Sequence, residues 1–205
     1  MIRSIVFDMG NVLIRFDRDY FIDRLGVSPE DKSLLMREVF QSLEWARMDR
    51  GSLTDEEAGE SVCSRLPVRL HDAAKKLVSM WDRPILPIPG MEELIRELKQ
   101  RGYGIYLLSN ASLRQHAYWP RIGASRFFDG CLISADEKVV KPQPEIYRLL
   151  LERFGLCPEE CFFIDDVPAN VEGALFCGLH GAVFHGSTAQ LRQALRSAGI
   201  LVAVQ

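Results

Sequence analysis

The sequence predicts an α/β fold: a Rossmann-like three-layer core with a mostly parallel sheet, interrupted by an inserted helical cap. Three observations carry that prediction. Short apolar runs alternate with amphipathic segments, as parallel strands covered by helices on both faces require. Between about residues 17 and 81 the alternation gives way to helical patterning without a convincing strand, directly after the first strand. Four strand-like runs end on polar residues, and in such sheets ligands sit beyond the C-terminal strand ends. The pattern divides the chain into core segments 1–15 and 84–205, with 16–83 as the insertion.

The first run, IRSIVF at 2–7, is apolar and β-branched and stops at Asp8, followed by a Gly10-Asn11 turn. In the insertion, Tyr20, Phe21 and Leu25 suit one helical face, and Leu34, Leu35, Val39 and Leu43 suit the next. Arg50-Gly51-Ser52 breaks the pattern, and Thr54 with Glu57 forms a capping box that starts another helix. A further helix is expected over roughly 69–81. Pro84, Pro87 and Pro89 stiffen the return, and Gly90 precedes the helix MEELIRELKQR. YGIYLLSN is a strand ending on Ser109-Asn110, with a helix expected through about Ser112–Ile122. GCLIS is the next strand and leads by Ser134 toward Lys141-Pro142. PEIYRLLLERFG is a helix opened by Pro144 and closed by Gly155. CFFI runs into Asp165-Asp166 and the helix VPANVEGALFCG; GAVF and a helix from about Thr188 to Ser197 complete the core.

With 47% hydrophobic and 26% charged residues, the 205-residue chain has an ordinary globular composition, and its formal charge is −3. Lys and Arg are interspersed with Asp and Glu, so no basic stripe points to nucleic acid. No apolar run approaches the ~18 residues of a membrane span. MIRSIVFDMG lacks the features of a signal peptide, which makes the cytoplasm the expected compartment. Five irregularly spaced cysteines do not make a disulfide framework, and Cys157 with Cys161 lacks a second ligand pair for zinc. The closing ILVAVQ offers an apolar segment for the chain's own core or for a partner, so oligomeric state is left open.

Asp8, Asp165, Asp166, Lys141 and the Ser109-Asn110 pair together supply what phosphoryl transfer needs. Carboxylates hold Mg²⁺, a hard cation. A lysine opposes the charge of the transferring group, a hydroxyl and an amide donate to its oxygens, and one carboxylate attacks phosphorus. Each residue alone has a plainer explanation: an Asp after a strand caps a helix, Ser-Asn forms a loop, and a lysine faces solvent. Asp165-Asp166 is more informative, because adjacent carboxylates repel unless a cation or donors compensate. Trp45, Trp81 and Trp119 read as packing residues, with Trp45 and Trp119 able to edge a cleft. His71, His116, His180 and His185 share no ligand-like spacing.

At this point the chain resembles the haloacid dehalogenase superfamily, specifically its phosphatases with a helical cap after the first strand. The resemblance rests on VFDMGNVL at 6–13, LLSN at 107–110, KPQPEIY at 141–147 and FIDDVPANVEGA at 163–174, in that order. The first and third segments look most like the bacterial glucose-1-phosphate phosphatase branch. It implies Asp8 as nucleophile and metal ligand, the Gly10 carbonyl as a metal ligand, and Ser109 and Asn110 on the phosphoryl group. Lys141 would bridge that group and the nucleophile. Asp166 would be the direct metal ligand, with Asp165 on a metal-bound water or on Lys141; Asn170 falls where a further acidic residue is often found. The implied cofactor is Mg²⁺, and the implied substrate is a small phosphorylated metabolite, such as glucose 1-phosphate.

The sequence departs from the family at Gly10, where most of these phosphatases carry a second Asp that moves the proton in each half-reaction. Glycine keeps the carbonyl but cannot transfer a proton. Glu44, Asp49 and Asp17 are candidates to replace it. Two alternatives stay open: a 2-haloacid dehalogenase, which also lacks that Asp, and a non-catalytic phosphate-binding regulator.

Overall fold

A computed structural model describes residues 1–203. The strands are β1 (Ser4–Phe7), β2 (Gly104–Ser109), β3 (Gly130–Ile133), β4 (Cys161–Asp165) and β5 (His180–Val183). They form one sheet in the order β3-β2-β1-β4-β5, with every pairing parallel. β1 lies at the centre, and its four residues are all buried because both its faces are covered. The chain runs outward from β1 through β2 to β3, then crosses back to place β4 on the other side of β1. Strand order therefore reverses at β1, and the crevice beyond its end opens at Asp8.

Among the described residues eleven α-helices accompany the sheet: α1 (Arg18–Asp23), α2 (Pro29–Leu35), α3 (Leu43–Asp49), α4 (Asp55–Cys63), α5 (His71–Met80), α6 (Met91–Gln100), α7 (Gln115–Tyr118), α8 (Ser134–Glu137), α9 (Pro144–Phe154), α10 (Pro168–Phe176) and α11 (Thr188–Ser197). One face of the sheet packs with Leu94, Ile95, Leu98, Leu191 and Leu195 of α6 and α11. The other packs with Ile146, Tyr147, Leu150 and Ala174 of α9 and α10. None of the described helices is long and apolar enough to cross a membrane. Ile200 and Val202 of the apolar tail are buried in the chain's own core; residues 204–205 lie outside the described part.

α1 to α5 enclose their own apolar cluster, which includes Phe21, Ile22, Leu35, Val39, Phe40, Val62, Leu70 and Leu77. The two passages joining this unit to the sheet run side by side: Arg15 N–H donates to the Leu86 carbonyl (2.7 Å) and Ile88 N–H to Leu13 (2.9 Å). Trp81 packs against both cores, meeting Phe16 at 4.9 Å and Tyr118 at 5.2 Å between ring centroids.

Three local expectations change. Leu43 does not continue the face of Leu35 and Val39; it is 61% exposed. A π-helical turn at Met36–Phe40 ends that helix, and Ser42 then caps α3 by accepting from Trp45 N–H. The helix expected through Ser112–Ile122 is one α-turn, α7, followed by 3₁₀ turns at Trp119–Arg121 and Gly123–Phe127. Pro120 explains the break, since it has no N–H to continue the α-helical hydrogen bonds. The sheet is wholly rather than mostly parallel. The Thr54–Glu57 capping box forms in full, at 2.9 and 3.2 Å.

Candidate active site

Beyond the C-terminal ends of β1, β2 and β4 lies a cavity of about 240 Å³, closed on its far side by the helical unit. The sheet contributes Asp8, Gly10, Asn11, Asn110, Lys141, Asp165, Asp166 and Asn170 to its wall. The helical unit contributes an apolar and aromatic surface from Phe16, Trp45, Met48, Val78 and Trp81, together with Arg18 and Asp49.

Lys141 organises the floor. Its Nζ donates to Asp8 Oδ1 (2.5 Å), Asp165 Oδ2 (2.7 Å) and the Leu108 carbonyl (2.8 Å), which uses all three donors of an ammonium. The Asn110 amide fixes its backbone from both ends, accepting from Lys141 N–H at 2.8 Å and donating to its carbonyl at 3.0 Å. Asp165 is fully buried and saturated: besides Lys141 it accepts from Val167 N–H (2.8 Å) and from Asn170 Nδ2 (3.0 and 3.1 Å). Asp166 is half-buried and accepts from Asn11 Nδ2 at 3.1 Å. Asn11 adopts a left-handed conformation (φ 54°), and its own Oδ1 holds Phe16 N–H at 2.9 Å.

Burial pushes the Asp8 carboxyl up to about 7, against the pull of Lys141 and with help from Asp165. Burial by itself would lower Lys141, but Asp8 and Asp165 outweigh it and raise it. Asp166 is raised as well, chiefly by burial. Three carboxylates therefore crowd one ammonium. Asp8, Asp165 and Asp166 each place an oxygen within 4.8 Å of the others, a hard-oxygen set that can hold a divalent cation. The donor chemistry and the uncompensated negative charge both suit Mg²⁺.

The helical unit is clamped over this floor through the loop after α3. Ser134 Oγ donates to the Asp49 carbonyl (2.5 Å), and Lys138 Nζ donates to the Gly51 carbonyl (2.5 Å). Gly51 sits at φ +69°, and a Cβ there would collide with the Ala135 carbonyl oxygen. Gly51→Ala is therefore expected to destabilise the protein by about 1–3 kcal/mol. Urea unfolding checks this, and a change below ~0.5 kcal/mol would mean that the loop does not bear on the core.

Of the residues singled out from sequence, the cavity gathers Asp8, Gly10, Asn110, Lys141, Asp165, Asp166 and Asn170. Ser109 lies behind the wall; its Oγ is buried without a hydrogen-bond partner among the described residues. Trp45 lines the cavity, whereas Trp119 packs on Phe128 at 5.1 Å. His116 pairs with Asp136 on the surface at 3.0 Å.

The three acidic candidates for proton transfer separate clearly. Asp17 caps α1, accepting from Tyr20 N–H (3.0 Å), and pairs with Arg15 (2.9 Å). Glu44 is bound by both Arg65 terminal nitrogens (2.8 and 2.9 Å) and by Ser61, and Arg65 holds its carboxyl down to about 2. Asp49 lines the cavity, and burial pushes it up to about 8, against the pull of Arg18. Sequence reading took Asn11 only as a turn residue and missed Arg18, which carries no motif of its own.

Comparison with known proteins places these features in a wider set. Residues 2–178 match the family of haloacid dehalogenase-like hydrolases. A sesquiterpene phosphatase from Aspergillus oryzae is 28% identical over 201 residues, covering 93% of this chain and 95% of that protein. An (S)-2-haloacid dehalogenase from Burkholderia cepacia is 27% identical, over 84% of this chain and 78% of its own length. A HAD family enzyme from Bacteroides thetaiotaomicron, solved with magnesium and inorganic phosphate, shares the fold. It aligns with a TM-score of 0.68 at 22% identity, over 93% of this chain and 99% of that one.

Proposed function

The chain belongs to the haloacid dehalogenase-like hydrolases, and from that membership we propose that it is a Mg²⁺-dependent phosphatase of a small phosphorylated metabolite, working through an aspartyl-phosphate on Asp8. The observation that carries this reading is the cluster of Asp8, Asp165 and Asp166 against a single buried ammonium. An anionic 2-haloacid would meet net repulsion there, whereas a divalent cation would offset the two excess negative charges before a phosphate monoester enters.

In this reading Asp8 and Asp166, with the Gly10 carbonyl, are the residues that hold Mg²⁺. Bound there, the ion neutralises phosphoryl oxygens and lets an anionic nucleophile approach. Asp8 attacks phosphorus in line, and Lys141 fixes the attacking oxygen while its charge opposes the equatorial oxygens. Asp165 and Asn110 hold Lys141 in place from opposite sides. The backbone N–H groups of Met9 and Gly10 have no acceptor among the described residues, and both residues line the cavity. They are donors available to a phosphoryl group, whereas the Ser109 hydroxyl lies behind the wall. The Bacteroides structure with magnesium and phosphate and the Aspergillus phosphatase support this reading. The aromatic wall of Phe16, Trp45 and Trp81 suits a compact organic group on the ester, a sugar such as glucose 1-phosphate among them.

Purified protein assayed with a panel of sugar and other small phosphate esters, with Mg²⁺ or with EDTA, tests the proposal. Metal-dependent phosphate release is expected. The Burkholderia relative and Gly10 favour a second reading, 2-haloacid dehalogenase; chloride release in EDTA would establish it instead. Tight Mg²⁺ binding with no turnover would point to a phosphate-binding regulator.

The raised Asp8 carboxyl gives an independent check. Its folded value of about 7 lies above the unfolded one, so the metal-free folded state binds more protons between pH ~4 and ~7. Its contribution to stability is present below that window and is lost as pH rises through it. Mg²⁺ favours the ionised carboxylate, so its binding releases protons and opposes the loss. The rise in Tm on adding Mg²⁺ is expected to be larger at pH 8 than at pH 5. Equal rises at the two pH values would contradict Asp8 as a ligand.

A further inference from the structure

We propose that Asp49, carried by the helical unit, is the general acid and base that serves Asp8, in the role that Gly10 cannot fill. The inference rests on the phosphatase reading and deepens it. Four carboxyl groups line the cavity, and three are committed. Asp8 is the nucleophile, Asp165 is saturated by Lys141, Asn170 and Val167, and Asp166 is bound to Asn11 beside the metal set. Asp49 alone has no side-chain hydrogen bond or ion pair among the described residues, although its own backbone is fixed to Ser134. It enters the cavity from the helical unit, near enough to Asp8 and Lys141 for their charges to interact, and in an in-line displacement the leaving group points away from the attacking oxygen.

The charged groups around it are Arg18 from α1, Asp8 and Lys141 from the sheet, and Asp55 from α4. Burial together with Asp8 and Asp55 outweighs Arg18 and Lys141 and pushes the carboxyl up to about 8. A group near neutrality can both give and take a proton. In the first step an Asp8 oxygen bonds to phosphorus while the phosphorus–oxygen ester bond breaks. The bond pair stays on the leaving oxygen, which takes the Asp49 proton and departs as the alcohol. In the second step the Asp49 carboxylate takes a proton from water as its oxygen bonds to phosphorus. The bond from phosphorus to Asp8 breaks, its pair returns to the Asp8 carboxylate, and inorganic phosphate leaves. Asp8 and Asp49 end as they began, and the net change is hydrolysis.

Gly10 offers an internal control. A Cβ there would have only Asp8 Oδ2 and Phe16 Cβ nearby, both at 3.9 Å, so a side chain can start there without displacing the backbone.

The experiment compares wild type, Asp49→Asn and Asp49→Asn/Gly10→Asp on an alkyl phosphate and on p-nitrophenyl phosphate, with Mg²⁺ present. p-Nitrophenolate leaves as a stable anion and needs no acid, while hydrolysis of the acyl-phosphate still needs the base. Asp49→Asn is expected to lose about 10²–10⁴-fold in kcat on the alkyl ester. On p-nitrophenyl phosphate it should give a burst of nitrophenolate equal to the enzyme present, then slow turnover, with phosphate retained on acid-quenched protein. Gly10→Asp should restore most of the lost turnover and abolish the burst. An equal loss on both substrates without a burst, or no loss, would overturn the role of Asp49. Failure of Gly10→Asp to restore a folded Asp49→Asn protein would overturn it too. Wild type without metal-dependent activity on either ester would instead overturn the phosphatase reading beneath it.

Discussion

Asp8→Asn is expected to remove turnover of every phosphate ester by about 10⁴–10⁶-fold, the scale seen when a covalent nucleophile is lost. The amide has the size of the carboxylate and can still accept from Lys141, which stands 2.5 Å from Asp8 Oδ1 and retains Asp165 and the Leu108 carbonyl. The fold should therefore survive. Without metal at pH 8 the variant should be at least as stable as wild type, because it removes a carboxylate whose burial opposes its ionisation. The stabilisation by Mg²⁺ should shrink at the same time, since one oxygen of the metal set becomes a neutral amide. Calorimetry with and without Mg²⁺, alongside the activity assay, separates loss of the nucleophile from loss of the fold. A variant that kept a tenth of wild-type turnover would rule out Asp8 as the attacking group.

Lys141→Met is expected to have the largest effect on stability. The ammonium is 4% exposed and pairs with two buried carboxylates, so methionine leaves Asp8 and Asp165 facing each other unpaired. Breaking such a pair from one side costs about 3–5 kcal/mol. The sign with pH follows from the same charges. Losing Lys141 removes its downward pull on the Asp8 carboxyl, which burial already raises, so protonation relieves the penalty and the deficit should be larger at pH 8 than at pH 5. Urea unfolding at the two pH values checks this. A deficit below ~1 kcal/mol at pH 8 would place Lys141 with ordinary surface pairs. Activity should fall by about 10²–10³-fold even where the variant is folded, because the fixed charge opposite the phosphoryl oxygens is gone.

The sheet and the floor of the site were legible in the sequence because their signals are local. Each strand is a short apolar run, and its end is marked by the polar residue that follows: Asp8 after SIVF, Asn110 after GIYLLS, Asp166 after CFFID. Parallel pairing then brings those ends together whatever the helices do. The roof was not legible, because it depends on contacts between distant residues. Ser134 reaches the Asp49 carbonyl across 85 positions, and Lys138 reaches Gly51 across 87. Nothing near either residue marks that meeting. Glu44 and Asp49 show the difficulty in one helix. Five residues apart on α3, they point about 140° away from each other. One turns inward to Arg65, and the other turns to the cavity. The sequence named both, and only packing could choose. Helix breaks have a similar origin: the helix ends after the π-turn at Met36–Phe40 and restarts at the extended Ser42, so Leu43 opens a new helix and faces solvent. Asn110 is a subtler case. Its position beside the phosphoryl site was expected, but its amide is committed to the backbone of Lys141, so it acts by holding the lysine.

The central claim is that Asp8 attacks phosphorus. The most direct measurement is mass spectrometry of the protein quenched in acid during turnover of a phosphate ester with Mg²⁺, with peptide mapping of the adduct. One phosphoryl group on the peptide carrying Asp8, absent in EDTA and absent from Asp8→Asn, is the predicted result. Phosphate release with no adduct on that peptide, even in Asp49→Asn, or a carbon-linked ester at Asp8 formed from a 2-haloacid without metal, would contradict it.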